Sequence, residues 1–281
     1  MSPEQARREV RDAVVMDVSD LTLATPGQPV AVRLYRPARP APAAVLMYFH
    51  GGGWVTGDLD THDSFCRVMA EWAGCAVVAV DYPRPPEQRF PAAVKSCYAA
   101  TVWIARHGAS LGLDTRRIAV AGGGSGGGLA AVIGQMARDL GEAHIGFQLL
   151  LYPLLDCLAR NRSRHDFATG FGLTAELLEW YVSHYVPADT PRAHPWLSPA
   201  RDPCLQGLPA ALIITAGCDP LRDEGRAFAR RLKTAGVPVR HKEYPGMRHG
   251  FINHPAAEPA ARRAVLLCAE ALAGYFHPST A

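Results

Sequence analysis

Short apolar, β-rich runs alternate along this chain with longer segments of helical periodicity, and that alternation admits few architectures. A strand that returns parallel to its neighbour needs a crossover of a dozen or more residues, usually a helix. The pattern therefore predicts an α/β fold: a mostly parallel sheet with helices on both faces. Eight strands are expected at 15–22, 30–35, 44–49, 76–81, 118–121, 145–152, 211–216 and 239–244. Only a short turn around Pro26, Gly27 and Pro29 separates the first two, which makes them an antiparallel hairpin. Helices are expected at 62–73, 92–107, 126–140, 222–235 and 259–275. In the fourth, Leu221, Phe228 and Leu232 share a face, and Gly236 stands where a left-handed cap stops a helix.

With 281 residues and 48% hydrophobic content, the chain can bury one substantial core, so a single domain over 1–281 is expected. The stretch 156–209 breaks the alternation. It holds a plausible helix at 173–185 and then prolines 187, 191, 195, 199 and 203, whose spacing is not a repeat because the residues between them differ. A connection this long in a compact domain is usually functional, and it is assigned as a lid that forms a small cap together with 1–14.

Composition removes several classes of function. The net charge of +3 comes from 29 basic and 26 acidic residues without a basic stripe, which argues against nucleic-acid and membrane-surface partners. The first 14 residues are charged and lack the apolar stretch of a secretory signal. The longest apolar run, 146–155, contains Gln148 and Pro153 and falls short of the roughly 20 residues that span a bilayer. Seven scattered cysteines without a C-x-x-C pair read as reduced, mostly buried thiols of a cytoplasmic protein, with no metal site.

The chemistry-bearing residues sit at strand ends. Directly after the strand ending at Ala121 comes Gly122-Gly123-Gly124-Ser125-Gly126-Gly127-Gly128, which contains G-x-S-x-G at Gly123, Ser125 and Gly127. A serine on so sharp a strand-to-helix turn is a candidate nucleophile, and the helix N-terminus favours negative charge beside it. The same run also satisfies G-x-G-x-x-G at Gly122, Gly124 and Gly127, the dinucleotide fingerprint, with Asp139 or Glu142 as ribose ligand. Against that rival, about 120 residues with at least three core strands precede the motif, and both acids fall at the tail of a helix.

His50-Gly51-Gly52-Gly53-Trp54 follows the strand 44–49, and consecutive glycines let backbone amides point into a cleft as an oxyanion hole requires. Gly51, Gly52 and Gly126 are the expected donors. Of eleven histidines, His249 follows the last strand and precedes the terminal helix, which makes it the candidate base. Asp219 comes first after the strand 211–216 and is the candidate acid, with Asp223 one helical turn further on and expected to be exposed. The order Ser125, Asp219, His249 matches that of α/β-hydrolases.

With these residues in view, the chain resembles the hormone-sensitive-lipase-like branch of the α/β-hydrolases, bacterial esterases marked by an HGGG motif. The resemblance runs from about Val15 to the C-terminal helix. It rests on His50 to Trp54, on Asp81-Tyr82, Pro86-Glu87 and Phe90-Pro91-Ala92-Ala93, on the serine turn, on Asp219 through Glu224, and on Tyr244, Gly246 and His249-Gly250-Phe251. It implies hydrolysis of small, short-acyl esters through an acyl-enzyme on Ser125, without cofactor or metal, in a protein that can pair as a homodimer through its last strand. A non-catalytic small-molecule receptor on the same scaffold is the alternative from another class. Three departures stand out. The family carries GDSAG, where this chain flanks Ser125 with Gly124 and Gly126. Pro83-Arg84-Pro85 replaces the family's arginine, leucine and alanine, and only a short segment precedes the first strand.

Overall fold

The computed structural model describes residues 17–38, 42–253 and 258–278. The cap segment expected at 1–14, and the first two residues of the expected first strand, lie outside the described residues. Eight strands form one sheet: β1 (Asp17–Leu23), β2 (Val30–Arg36), β3 (Ala43–Phe49), β4 (Ala76–Asp81), β5 (Leu113–Gly123), β6 (Phe147–Leu151), β7 (Ala210–Cys218) and β8 (Val239–Arg248). Their order is β1-β2-β4-β3-β5-β6-β7-β8. β1 and β2 form the expected antiparallel hairpin, and β2 also runs antiparallel to β4, whereas every pairing from β4 to β8 is parallel.

The helices are α1 (Asp63–Ala73), α2 (Ala92–His107), α3 (Ser125–Leu140), α4 (Arg162–Asp166), α5 (Ala175–Tyr185), α6 (Arg222–Thr234) and α7 (Pro259–Phe276). Strand alternation divides the core in two. Val45, Met47 and Phe49 of β3 face one apolar cluster with residues of α2, α3 and α6, and Ala44, Leu46 and Tyr48 face the other with residues of α1 and α7. Phe228 and Leu232 of α6 are fully buried, each worth about 2 kcal/mol of transfer free energy. Beyond α6, Gly236 takes a φ of 76°, and the amide of Val237 reaches back to the Leu232 carbonyl at 3.0 Å, closing the expected cap.

β5 is longer than its apolar core suggested. Leu113 and Asp114 pair with Ala43 and Ala44, and a register shift follows before Ile118 meets Val45. The buried carboxylate of Asp114 accepts from the Arg116 and Arg117 side chains, so charged residues masked this half of the strand. β8 likewise runs to Arg248 and delivers the next residue, His249, to the sheet's C-terminal edge.

Within 156–209, Thr174 caps α5 by accepting from the Leu177 amide at 3.0 Å. At the other end of α5, the Arg89 guanidinium donates to the carbonyls of Ser183, His184 and Val186 at 2.5, 2.8 and 2.7 Å. Arg89 thus satisfies carbonyls that the helix leaves open and ties the segment to the loop before α2.

Candidate active site

The turn between β5 and α3 has its vertex at Gly124, with φ 56° and ψ −117°. Those angles lie outside the regions open to ordinary L-residues, and they are the strain expected of a nucleophile elbow. Glycines two positions to either side are held by backbone. A Cβ on Gly122 would stand 2.3 Å from the Gly126 carbonyl, and one on Gly126 would stand 2.0 Å from the Phe49 oxygen. For a Cβ on Gly123 the nearest atoms are those of the Tyr152 ring, at 3.1 Å. The G-x-x-x-G frame that packing demands is therefore Gly122 to Gly126, centred on Gly124.

This corrects the expectation for Ser125. It is the first residue of α3, and it is buried. Its Oγ accepts a hydrogen bond from the Trp54 amide at 3.2 Å, and no bond joins it to His249. Laid on the packing frame, the family's GDSAG falls on Gly122 to Gly126, with Gly124 at the serine position and Ser125 at the alanine position.

Asp219 and His249, the candidate acid and base, are hydrogen-bonded to each other. Asp219, fully buried beyond the end of β7, accepts from His249 Nδ1 on Oδ2 and from the Leu221 amide on Oδ1, both at 2.8 Å. With Nδ1 committed to the carboxylate, Nε2 is the free nitrogen, and it would stand 3.0 Å from a Cβ on Gly124. The Tyr152 ring packs edge-on against the imidazole at 4.7 Å. Asp223 is not in this group: it is half-buried and pairs with Arg222 and Arg226.

The glycine turn after β3 is held by His50. Its ring stacks on Tyr82 at 4.1 Å, its Nδ1 lies 2.8 Å from the Gly51 carbonyl, and burial lowers its pKa to about 3, so it stays neutral. The Tyr82 hydroxyl donates to the His50 carbonyl at 2.8 Å. The Gly51 amide donates to His62 Nε2 at 3.4 Å, so this expected oxyanion donor is engaged elsewhere. Gly52 and Gly53 take φ of 109° and 62°, and Trp54 takes 64°, pinned by stacking on Tyr185 at 4.7 Å. Because the Trp54 amide reaches Ser125, the stretch from Gly52 to Trp54 runs along the elbow. Gly126, the third expected donor, lies two residues beyond the vertex, and the amide next to the vertex belongs to Ser125.

Several residues of the site were not singled out from sequence. Tyr181 of α5 lies over Gly53, where a Cβ would stand 2.2 Å from its ring. Glu224 is buried against the segment 156–209, accepting from the Leu155 amide and the Arg164 guanidinium, both at 2.8 Å; burial pushes its carboxyl up to about 7. The residues of the dinucleotide reading are spent on ion pairs and hydrogen bonds, Asp139 with Arg138 and Glu142 with Arg106 and Tyr98. Among the described residues no cluster of potential metal ligands occurs, all seven cysteines are free thiols, and no helix is long and apolar enough to cross a membrane.

A strand-turn-helix elbow over a mostly parallel sheet, with an Asp–His pair delivered by the last two strands, defines a hydrolase scaffold. Residues 46–253 match the family model of the α/β-hydrolase fold, and the chain belongs to that family, in its hormone-sensitive-lipase-like branch of hydrolases. It is 41% identical over 244 residues to the carboxylic ester hydrolase LipN of Mycobacterium tuberculosis, covering 85% of this chain and 65% of LipN. It is 38% identical over 260 residues to an ethyl acetate hydrolase of Pseudomonas putida, covering 91% and 82%. A solved thermostable esterase from Pseudomonas putida ECU1011 superposes with a TM-score of 0.90 at 37% identity, covering 99% of this chain and 91% of that one.

Proposed function

We propose that this chain hydrolyses small carboxylic esters in the cleft above the elbow, with His249 as general base and Asp219 holding its tautomer. The observation that carries the reading is the 2.8 Å bond from Nδ1 to a fully buried carboxylate, which leaves Nε2 lone-pair-bearing and turned to the vertex. The imidazolium formed when Nε2 takes a proton is stabilised by the same carboxylate.

The oxyanion of the tetrahedral intermediate is assigned to the amides of Gly52, Gly53 and Ser125. Gly53 stands in for Gly51, whose amide is engaged with His62, and Ser125 for Gly126, because the amide that follows the vertex is that of Ser125. Each such donor is worth about 10²–10³ in turnover. Tyr181 over Gly53, with α5 docked through Arg89, favours a roofed site and therefore short acyl groups, in keeping with the esterase and ethyl acetate hydrolase names of the relatives. We assign 156–209 as the cap of a single catalytic domain.

Hydrolysis of p-nitrophenyl acetate, butyrate and octanoate by the wild-type protein and by His249→Ala tests this. The expected result is turnover that falls with acyl length and disappears with the imidazole. The receptor reading draws support from the absence of a side chain at Gly124, and saturable ester binding without His249-dependent turnover would establish it instead.

A further inference from the structure

We infer that the nucleophile position of this elbow is held by Gly124, so that cleavage here uses a water deprotonated by His249 and passes through no acyl-enzyme. The inference rests on the ester-hydrolase reading above and changes its first step.

Three observations converge on residue 124. The angles that would strain a residue with a Cβ, φ 56° and ψ −117°, belong to it. The glycines two positions to either side, Gly122 and Gly126, have no room for a Cβ against the backbone of the turn and of Phe49 and His50. The free nitrogen of the base is aimed at it, 3.0 Å from where its Cβ would stand. A side chain at that point would carry its hydroxyl between the imidazole and the oxyanion amides, and Gly124 has none. The hydroxyl of Ser125 does not substitute for it. Ser125 Oγ is buried, accepts from the Trp54 amide at 3.2 Å and lies beside the Tyr82 hydroxyl. No hydrogen bond joins it to His249, whose Nδ1 is held by Asp219.

Without a side chain at the vertex, a water molecule can occupy the place of the hydroxyl oxygen, within reach of Nε2. The water oxygen attacks the ester carbonyl carbon as its proton passes to Nε2, and the carbonyl π pair moves to oxygen, where the amides receive it. Collapse re-forms the carbonyl and breaks the bond to the alkoxide, which takes the proton from Nε2. The products are one carboxylic acid and one alcohol, and the imidazole returns neutral. Such a site keeps base, oxyanion donors and binding, but not covalent catalysis. In serine hydrolases those remaining elements leave about 10³–10⁴ of acceleration over water.

The test compares wild-type protein with Gly124→Ser and Gly124→Ala, using p-nitrophenyl butyrate in rapid mixing and a fluorophosphonate followed by peptide mapping. Wild type is expected to show no burst and no adduct on Ser125. Gly124→Ser is expected to gain at least about 100-fold in kcat/KM, with a burst and an adduct on residue 124, and Gly124→Ala to gain nothing. A stoichiometric burst, or an adduct on Ser125, in the wild type would overturn the inference and leave the ester-hydrolase reading standing. A folded Gly124→Ser no faster than Gly124→Ala also overturns it. If Gly124→Ser does not fold, the wild-type burst and adduct decide alone. Wild-type turnover that His249→Ala does not reduce removes the reading and the inference together.

Discussion

The ring of Tyr181 rests on Gly53, so close that a Cβ there would stand 2.2 Å from the ring's Cγ. One residue of α5 thus touches the glycine turn, which has room for it only because position 53 has no side chain and a φ of 62°. Gly53→Ala forces the ring away and strains the turn, and kcat should fall by about 10²-fold or more as the donor amides shift. Tyr181→Ala leaves the turn unstrained and only uncovers it. Its KM for short esters should rise with kcat nearly kept; a kcat loss equal to that of Gly53→Ala would refute this separation of roles.

The glycine run offers a test that needs no substrate. Gly126→Ala drives a methyl to within 2.0 Å of the Phe49 carbonyl and 2.4 Å of the His50 carbonyl, neither of which can rotate away. The expected cost is on the order of 3 kcal/mol or more, read as a lowered urea midpoint. Gly123→Ala meets an aromatic side chain at 3.1 Å and should cost about 1 kcal/mol or less. If the two variants were equally stable, the elbow would not be centred on Gly124.

That run also marks where sequence reasoning stopped. All eight strands and the five helices flanking the sheet were legible because apolar periodicity reports burial directly, and Asp219 and His249 followed from their places after strands. The vertex was not legible. Six glycines around one serine fit an elbow in more than one register, and the only register with a hydroxyl at its centre attracts the eye. What separates the registers is which glycines lie against the carbonyls of Phe49 and His50, some 70 residues earlier, and no local pattern records that contact. Tyr181, Arg89 and Glu224 were hidden for the same reason: each acts on a segment far away in sequence.

Glu224 should make stability depend on pH. Its carboxyl ordinarily titrates near 4.5 and in the fold is pushed up to about 7, chiefly by burial, with Arg164 opposing. Between those values the folded chain holds a proton that the unfolded chain has released. This contribution is therefore complete below about 4.5 and is lost as pH rises through about 7, by up to about 3 kcal/mol. Glu224→Gln keeps an acceptor for the Leu155 amide and removes the titration. The stability of wild type relative to Glu224→Gln should fall between pH 5 and pH 8 in urea unfolding, and a difference that stays flat would sink the idea.

Asp219→Asn isolates the part of the machinery that the structure defines best. The carboxylate oxygen that accepts from Nδ1 becomes, in one amide orientation, an NH₂ that donates to it, while the single remaining oxygen accepts from the Leu221 amide. The imidazole then carries its proton on Nε2, the nitrogen that must take one, and the side chain keeps its place while losing its role. Folding and ester binding should change little, because the substitution preserves shape and removes one buried charge. Turnover should fall by about 10²–10⁴, the range spanned by a general base and by a misoriented tautomer. The loss should appear in kcat with KM nearly constant, and it should shrink at high pH, where hydroxide needs no base. A KM rise with kcat preserved would mean that the Asp–His pair shapes the pocket and takes no part in moving the proton.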